Sequence, residues 1–423
     1  MTRYLYIIVL VIAGEMVFGL PFNTVRFFRP TILEVFGFSN TQFGYVTGVY
    51  GVMALLSYFP GGTLADRFPA RTLLAASLFA TGAGGLYMAT LPGIVGAGLV
   101  YGFWGVTTIF LFWGALIRAT REWGGKWSQG VAFGVLEAGR GIVAAVVASL
   151  VVAIFASIMP DEGEMVTAAQ RTAGLRAIYL FYSAAAIAAG LLVWFAIPAT
   201  TETAPERHNP FPNMLVVVRK PIVWAQAAVV VCAYCCFRAS DYFPQYLVVI
   251  FDMPEVEASR LASYGAFIRP VAALAAGLIA DRFITSRTTG VAFGVLVAGF
   301  LGLSMMSPET AAVSMIIWNM AICLFAVFAL RGTYFALLQE TRTPRHITGA
   351  TVGLISFVGF MPDFFFPWLT GVIIDADAGF TGFRNLFWFI AATAAAGIGV
   401  VAWLIRLRRA EDAKYLSPEQ GLV

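Results

Sequence analysis

The chain has 423 residues, of which 60% are hydrophobic and 12% charged, with a formal net charge of +4 and a mean hydropathy of +0.82. A soluble globular protein carries about a quarter charged residues, so this composition excludes one. Only helices or a closed barrel satisfy every backbone group in lipid, and apolar runs of about 20 residues without strict alternation select helices.

The apolar runs predict an all-α membrane protein of twelve transmembrane helices. The first spans 4–28; it begins at Tyr4, lacks a small-residue cleavage site and reads as a retained helix. The second to sixth span 41–60, 71–90, 93–120, 128–159 and 173–197. A polar stretch rich in Thr, Glu, Pro and Asn follows at 198–220 and reads as a cytoplasmic linker. The seventh to twelfth span 221–251, 257–280, 288–306, 309–338, 347–374 and 383–407, and residues 408–423 form a charged cytoplasmic tail. The expected organisation is therefore an N-terminal six-helix bundle (1–197), the linker, and a C-terminal six-helix bundle (221–407).

Basic residues orient these helices. With both termini in the cytoplasm, 17 of the 27 Lys and Arg residues fall on the cytoplasmic side, 5 on the other and 5 inside helices. That bias is what an N-in, C-in protein of a cell inner membrane requires.

Two short polar turns punctuate the pattern. Gly62-Thr63-Leu64-Ala65-Asp66-Arg67, with Arg71 beyond, joins the second and third runs. Gly277-Leu278-Ile279-Ala280-Asp281-Arg282, with Arg287 beyond, joins the eighth and ninth. A glycine lets two helices approach closely, and an Asp at a helix end meets free N–H groups or a neighbouring Arg. The paired Gly-x-x-x-Asp-Arg signature resembles the loop repeats of the major facilitator superfamily. That resemblance implies two pseudo-symmetric six-helix bundles, alternating access, and a cytoplasmic gate built from Gly62, Asp66, Arg67, Arg71, Gly277, Asp281, Arg282 and Arg287. Both loops depart from the family pattern, with Pro69 and Ala70, and Ile284 and Thr285, where Gly and Arg are usual. The weaker likeness of residues 129–134 to 348–353 adds to the internal repeat. Substrate is then expected near mid-bilayer where the halves meet.

Ionisable groups inside a bilayer are functional candidates by default. They are Glu15 and Arg26 on the first helix, Glu137 and Arg140 on the fifth, Arg238 and Asp241 on the seventh, Arg269 on the eighth, Arg331 on the tenth and Asp363 on the eleventh. At about 1.5 Å per residue, Arg140 and Arg269 lie roughly 18 Å into their helices. Glu137 with Arg140 and Arg238 with Asp241 are i,i+3 neighbours, a spacing that lets side chains pair on one helical face. Asp363, between Pro362 and a Phe run ending at Pro367, marks a break or bend in the eleventh helix. It has Arg331 and Arg140 as possible partners.

Five core arginines against four acids leave a basic excess, and a guanidinium fork suits carboxylate or phosphate. Arg26, Arg140, Arg238, Arg269, Arg331 and Tyr264 are therefore the substrate-binding candidates for a small organic anion. Glu15, Glu137, Asp241 and Asp363 are the proton-coupling candidates, since a carboxyl away from water favours its neutral form. Tyr101 stands where drug exporters of the superfamily usually carry an Arg, and the fifth helix lacks their proline, so the layout looks more like the organic-anion and sugar-phosphate permeases. The expected activity is symport or antiport of that anion, with a proton or a counter-anion as partner. The alternatives are an amphiphile or drug carrier and a transporter-like ligand sensor. A monomer is expected.

Enzymatic and nucleic-acid roles find no motif. His208 and His346 stand apart, and no metal-ligand cluster, phosphate-cradling loop or nucleophile with its base is legible, so no cofactor or metal is expected. Cys232, Cys235 and Cys236 on one apolar helix and Cys323 on another read as packing residues.

Overall fold

A computed structural model describes residues 3–125, 129–160, 165–198, 215–282, 284–334, 337–340, 348–377 and 379–416. For a few positions, Asp281 and Arg282 among them, it describes the backbone alone. The helices in chain order are α1 (Tyr4–Phe36), α2 (Asn40–Arg67), α3 (Ala70–Met88), α4 (Ile94–Gly124), α5 (Gln129–Ala156), α6 (Ala168–Ala196), α7 (Pro221–Phe251), α8 (Glu255–Arg282), α9 (Thr285–Met305), α10 (Val313–Thr333), α11 (Ala350–Ala376) and α12 (Phe380–Leu416). No strand occurs among the described residues. Nine of these helices, all but α2, α3 and α8, are long and apolar enough among the described residues to cross a membrane. The remaining three are 28, 19 and 28 residues long and fall where the second, third and eighth predicted helices stand.

Local chemistry sets several helix ends. Ser39 and Gln42 form a reciprocal capping box at the start of α2, and Thr167 with Gln170 does so at α6. α1 closes on Gly37 at φ +65°, the left-handed conformation a glycine adopts without strain. Sequence reading ended this helix at Phe28. Phe28 does leave helical geometry (φ −126°, ψ 25°) ahead of Pro30, but the helix resumes through Phe36. α12 likewise runs to Leu416, past the expected tail boundary at 407, because Arg408 on its extra turns bonds Glu340 and reaches Asp412 one turn on. Most of the expected linker (199–214) and the tail beyond Leu416 lie outside the described residues.

Two helices carry π segments, Gly19–Asn23 in α1 and Val106–Trp113 in α4. Widened turns of this kind free backbone carbonyls and recur at functional positions. Thr107 and Thr108 inside the second bond Thr81 (2.8 Å) and Tyr50 (2.9 Å), so a polar seam runs through the α2–α3–α4 core.

The chain forms two compact units. Unit 1 comprises 1–207, 240–270 and 363–383; unit 2 comprises 208–239, 271–362 and 384–423. These boundaries cut four helices, α12 near its start and three others at irregular points. α7 passes through a 3-10 turn at Ser240–Tyr242, α8 contains Pro270, and α11 breaks between Gly359 and Pro362. The α11 break is the one its Pro-Asp-Phe-Phe-Phe-Pro run predicts. In unit 1, α3 packs on α6 and α2 on α4, while α1 contacts α5 and α6. In unit 2, α9 packs on α10, and the first segment of α7 packs on the first segment of α11.

Candidate functional site

A four-membered charge cluster lies in unit 1. Arg140 on α5 donates from Nη1 to Glu137 Oε1 at 2.7 Å, which is the i,i+3 pair expected from sequence. Its Nε stands 3.6 Å from Glu15 Oε2, a distance of ion pairing without a hydrogen bond. Arg269 on α8 repeats the arrangement, with Nη2 donating to Glu137 Oε2 at 3.2 Å and Nη1 3.8 Å from Glu15 Oε2. Two acids therefore share two guanidinium groups. Glu15 also accepts from Asn23 Nδ2 at 3.3 Å. Gly14 makes room beside the Arg140 stem, and the guanidinium faces the Phe18 ring at 5.5 Å. The two acids differ in surroundings: the Glu15 side chain is 4% exposed and that of Glu137 52%.

Arg26 and Asp241 make a second charged contact in unit 1, Nε to Oδ1 at 2.8 Å. The 3-10 turn at 240–242 sets the direction in which Asp241 leaves α7. Three of the five core arginines, Arg26, Arg140 and Arg269, thus meet acids.

Arg331, in the last turn of α10, is different. Its guanidinium carbon lies 4.1 Å from the centroid of the Phe237 ring on α7, and among the described residues its buried Nη1 has no hydrogen-bond partner. Phe237 belongs to an aromatic group with Phe328, Tyr234 and Phe360, all in unit 2. Arg238, next along α7, is buried.

Other predicted residues are distributed as follows. Asp363 is buried at the start of the second segment of α11, its backbone pressed against Gly51 of α2. Tyr264 on α8 is 56% exposed. In the first Asp-Arg loop, Asp66 and Arg67 are exposed, and Arg71 lies 4.7 Å from the Trp194 ring. Gly62 has open space where a Cβ would stand, so the close approach expected there is made by Gly61, against the backbone of Ile109 and Phe110. Arg118 closes this end of α2 by donating to the Ala65 carbonyl at 2.7 Å. In the second loop Arg287 is exposed, while the surroundings of Gly277, Asp281 and Arg282 lie outside the described residues.

Sequence reasoning missed a polar network in unit 1. Arg29, placed in a loop by the early end of the first predicted helix, is 2% exposed. It bonds Gln245 (2.9 Å) and Asn40 (3.2 Å) and faces the Tyr242 ring at 4.2 Å. Asp375 accepts from the Thr41 N–H (2.7 Å) and from Asn40 Nδ2 (3.0 Å). Arg171 bridges Glu34 (2.8 Å) and Glu255 (2.7 Å). Each of these residues sits near a helix end, where polar side chains ordinarily face water, and no local pattern marks them out.

Comparison with known proteins places this architecture. Residues 11–367 match the Major Facilitator Superfamily profile. The chain is 26% identical over 422 residues to the inner membrane protein YqcE of Escherichia coli (strain K12), covering 97% of each chain. It is 26% identical over 358 residues to the probable nitrate/nitrite antiporter NarK1 of Thermus thermophilus, covering 79% of this chain and 77% of that one. Among solved structures, a bacterial homologue of the human lysosomal transporter Spinster, inward-facing and unoccupied, superposes with a TM-score of 0.78 at 14% identity, over 98% of this chain and 99% of that one. The matched profile, spanning most of the chain, and the shared all-helical fold show that this protein is a member of the Major Facilitator Superfamily.

Proposed function

We propose that this chain is a secondary active transporter that carries a small organic anion across the inner membrane by alternating access, with a proton or a counter-anion as its coupled partner. The carrying observation is Arg331. A guanidinium held against an aromatic ring, with one buried nitrogen lacking a partner among the described residues, is a stable arrangement when an anion completes it. The fork favours a planar carboxylate or a phosphate ester. The likeness to a protein named as a nitrate/nitrite antiporter supports an anionic cargo.

Proteoliposome counterflow tests the reading. Lactate, succinate and glycerol phosphate are offered as carboxylate and phosphate-ester probes, with a neutral sugar and a lipophilic cation as controls. Anion exchange is expected, abolished by Arg331→Ala and partly retained by Arg331→Lys, which keeps the charge without the fork. Transport of the neutral or lipophilic probe, unaffected by Arg331→Ala, would overturn the proposal in favour of an amphiphile carrier. Binding with no exchange of any probe would leave a ligand sensor instead.

A further inference from the structure

We infer that the C-terminal end of α12, together with the first turn of α9, forms a headgroup site for an anionic phospholipid, held at its phosphodiester by Arg287, Arg406 and Arg409. The inference goes beyond the transport reading and is independent of the cargo and of Arg331.

The exposed face of α12 is laid out to meet lipid. It opens on Arg384 and Trp388 and closes on Trp403, Arg406 and Arg409, all of them exposed. No charged residue falls in 385–405. Arg384 and Arg406 stand 22 positions apart. At about 1.5 Å per residue that is about 33 Å, close to the hydrocarbon thickness of a bilayer, about 30 Å. The two indoles lie just inside these ends, at the depth where an apolar ring with a polar N–H settles. Arg406 therefore reaches the depth of the lipid phosphates, and Arg409, three residues on, shares its face.

The two ends of this face differ. Beside Arg406 and Arg409, α9 brings a further arginine. A Cβ on Gly290 would stand 3.7 Å from Val401, and one on Gly397 would meet the Phe293 ring, so α9 and α12 lie against each other in opposite directions. Glu340 ties their ends together. It accepts from the Ser286 N–H (2.8 Å), from Ser286 Oγ (2.7 Å) and from Arg408 Nη1. Arg408 also reaches Asp412 at 3.6 Å and is thus occupied by acids. Arg287, next to Ser286, is exposed like Arg406 and Arg409, and among the described residues these three make no ion pair. The side chains of Asp281, Arg282 and Glu411 lie outside the described residues. All the groups of the site belong to unit 2.

The Glu340 tie holds the last turns of α12 helical, so the arginines are in place before a lipid arrives. A guanidinium offers paired N–H donors to phosphate oxygens, and each such charge near the surface strengthens the hold on an anionic lipid. The acyl chains then lie along the uncharged face beyond Trp403. Arginines that served only to orient the helix would select no particular lipid, whereas this site selects a phosphate that carries acyl chains and no compensating cation.

The test uses full-length protein purified in a nonionic detergent and titrated with dioleoyl phosphatidylglycerol or dioleoyl phosphatidylcholine, with native mass spectrometry counting bound lipids. Wild-type protein should retain one phosphatidylglycerol at least about tenfold more tightly than phosphatidylcholine, and should lose that preference as salt rises from about 0.05 M to about 0.5 M. Arg406→Gln with Arg409→Gln should weaken phosphatidylglycerol about 25-fold, about fivefold for each arginine, while Arg384→Gln at the opposite end should bind as wild type does. Equal retention of the two lipids by wild type, a preference indifferent to salt, or an unchanged preference in a double variant that melts normally would each overturn the inference. Inorganic phosphate at matched ionic strength should not displace the lipid; displacement would mark a site for a free anion and overturn it as well.

Discussion

Arg26 and Asp241 meet at 2.8 Å although they stand 215 positions apart. That is also the offset between the two Asp-Arg loops, Asp66 to Asp281. Asp241 is 3% exposed at its side chain and Arg26 19%. Removing one member of a buried ion pair costs about 3 kcal/mol. Arg26→Ala and Asp241→Asn should each lower the melting temperature of the purified protein. The exchange Arg26→Asp with Asp241→Arg should recover a large part of the loss. Additive losses in the exchanged protein would show that the two groups act independently.

Much of the architecture was legible because lipid leaves so few options. Apolar length gives helices, and the duplicated Asp-Arg loops point to the family. The Glu137–Arg140 pair was legible because α5 is regular between them, so i,i+3 spacing holds. The Arg26–Asp241 contact was not legible, because its members stand 215 positions apart and nothing in Arg-Ala-Ser-Asp-Tyr announces the 3-10 turn from which Asp241 leaves α7. Arg29 and Asp375 were invisible for a further reason. Their partners are remote in sequence, Gln245 for the first and Thr41 for the second, and spacing arguments reach only one or two turns.

Asp375 supplies a further prediction. Its carboxylate lies at the N-terminus of α2, where free N–H groups collect partial positive charge, and takes the Thr41 N–H at 2.7 Å. It acts as an additional cap delivered from another helix, beside the local Ser39–Gln42 box. Asp375→Asn retains shape and loses the charge, so thermal unfolding should reveal destabilisation of about 1 kcal/mol. Because Ser39 remains, helix content measured by circular dichroism should not change. A variant as stable as wild type would mean that the local box alone suffices.

Two glycines of α2 should respond oppositely to the same added methyl group. A Cβ on Gly51 would collide with the backbone of Asp363 and Phe364, which cannot rotate aside. A Cβ on Gly62 would meet open space in a helical turn. Gly51→Ala should therefore destabilise by about 1–3 kcal/mol through overpacking. Gly62→Ala should be neutral or stabilising by up to about 1 kcal/mol through lost unfolded-state freedom. Paired melting curves decide the matter, and equal losses at both sites would contradict the packing described for α2.

Phe237 provides the most direct test of how Arg331 is held. The ring lies 4.1 Å beneath the guanidinium, and the contact orients the fork without consuming a hydrogen-bond donor. Phe237→Leu keeps an apolar side chain of similar bulk and removes the π face. A cation–π contact of this kind is worth about 1 kcal/mol, so the KM for the transported anion should rise roughly fivefold. The maximal rate should change little, because the charge that meets the anion is retained. Phe237→Tyr and Phe237→Trp preserve the face and should stay close to wild type if the larger ring is accommodated beside Phe328. If instead Phe237→Leu leaves KM untouched while Arg331→Ala abolishes transport, the ring has no part in positioning the cation, and the hydrogen-bonding groups of the cargo alone must fix the orientation of Arg331.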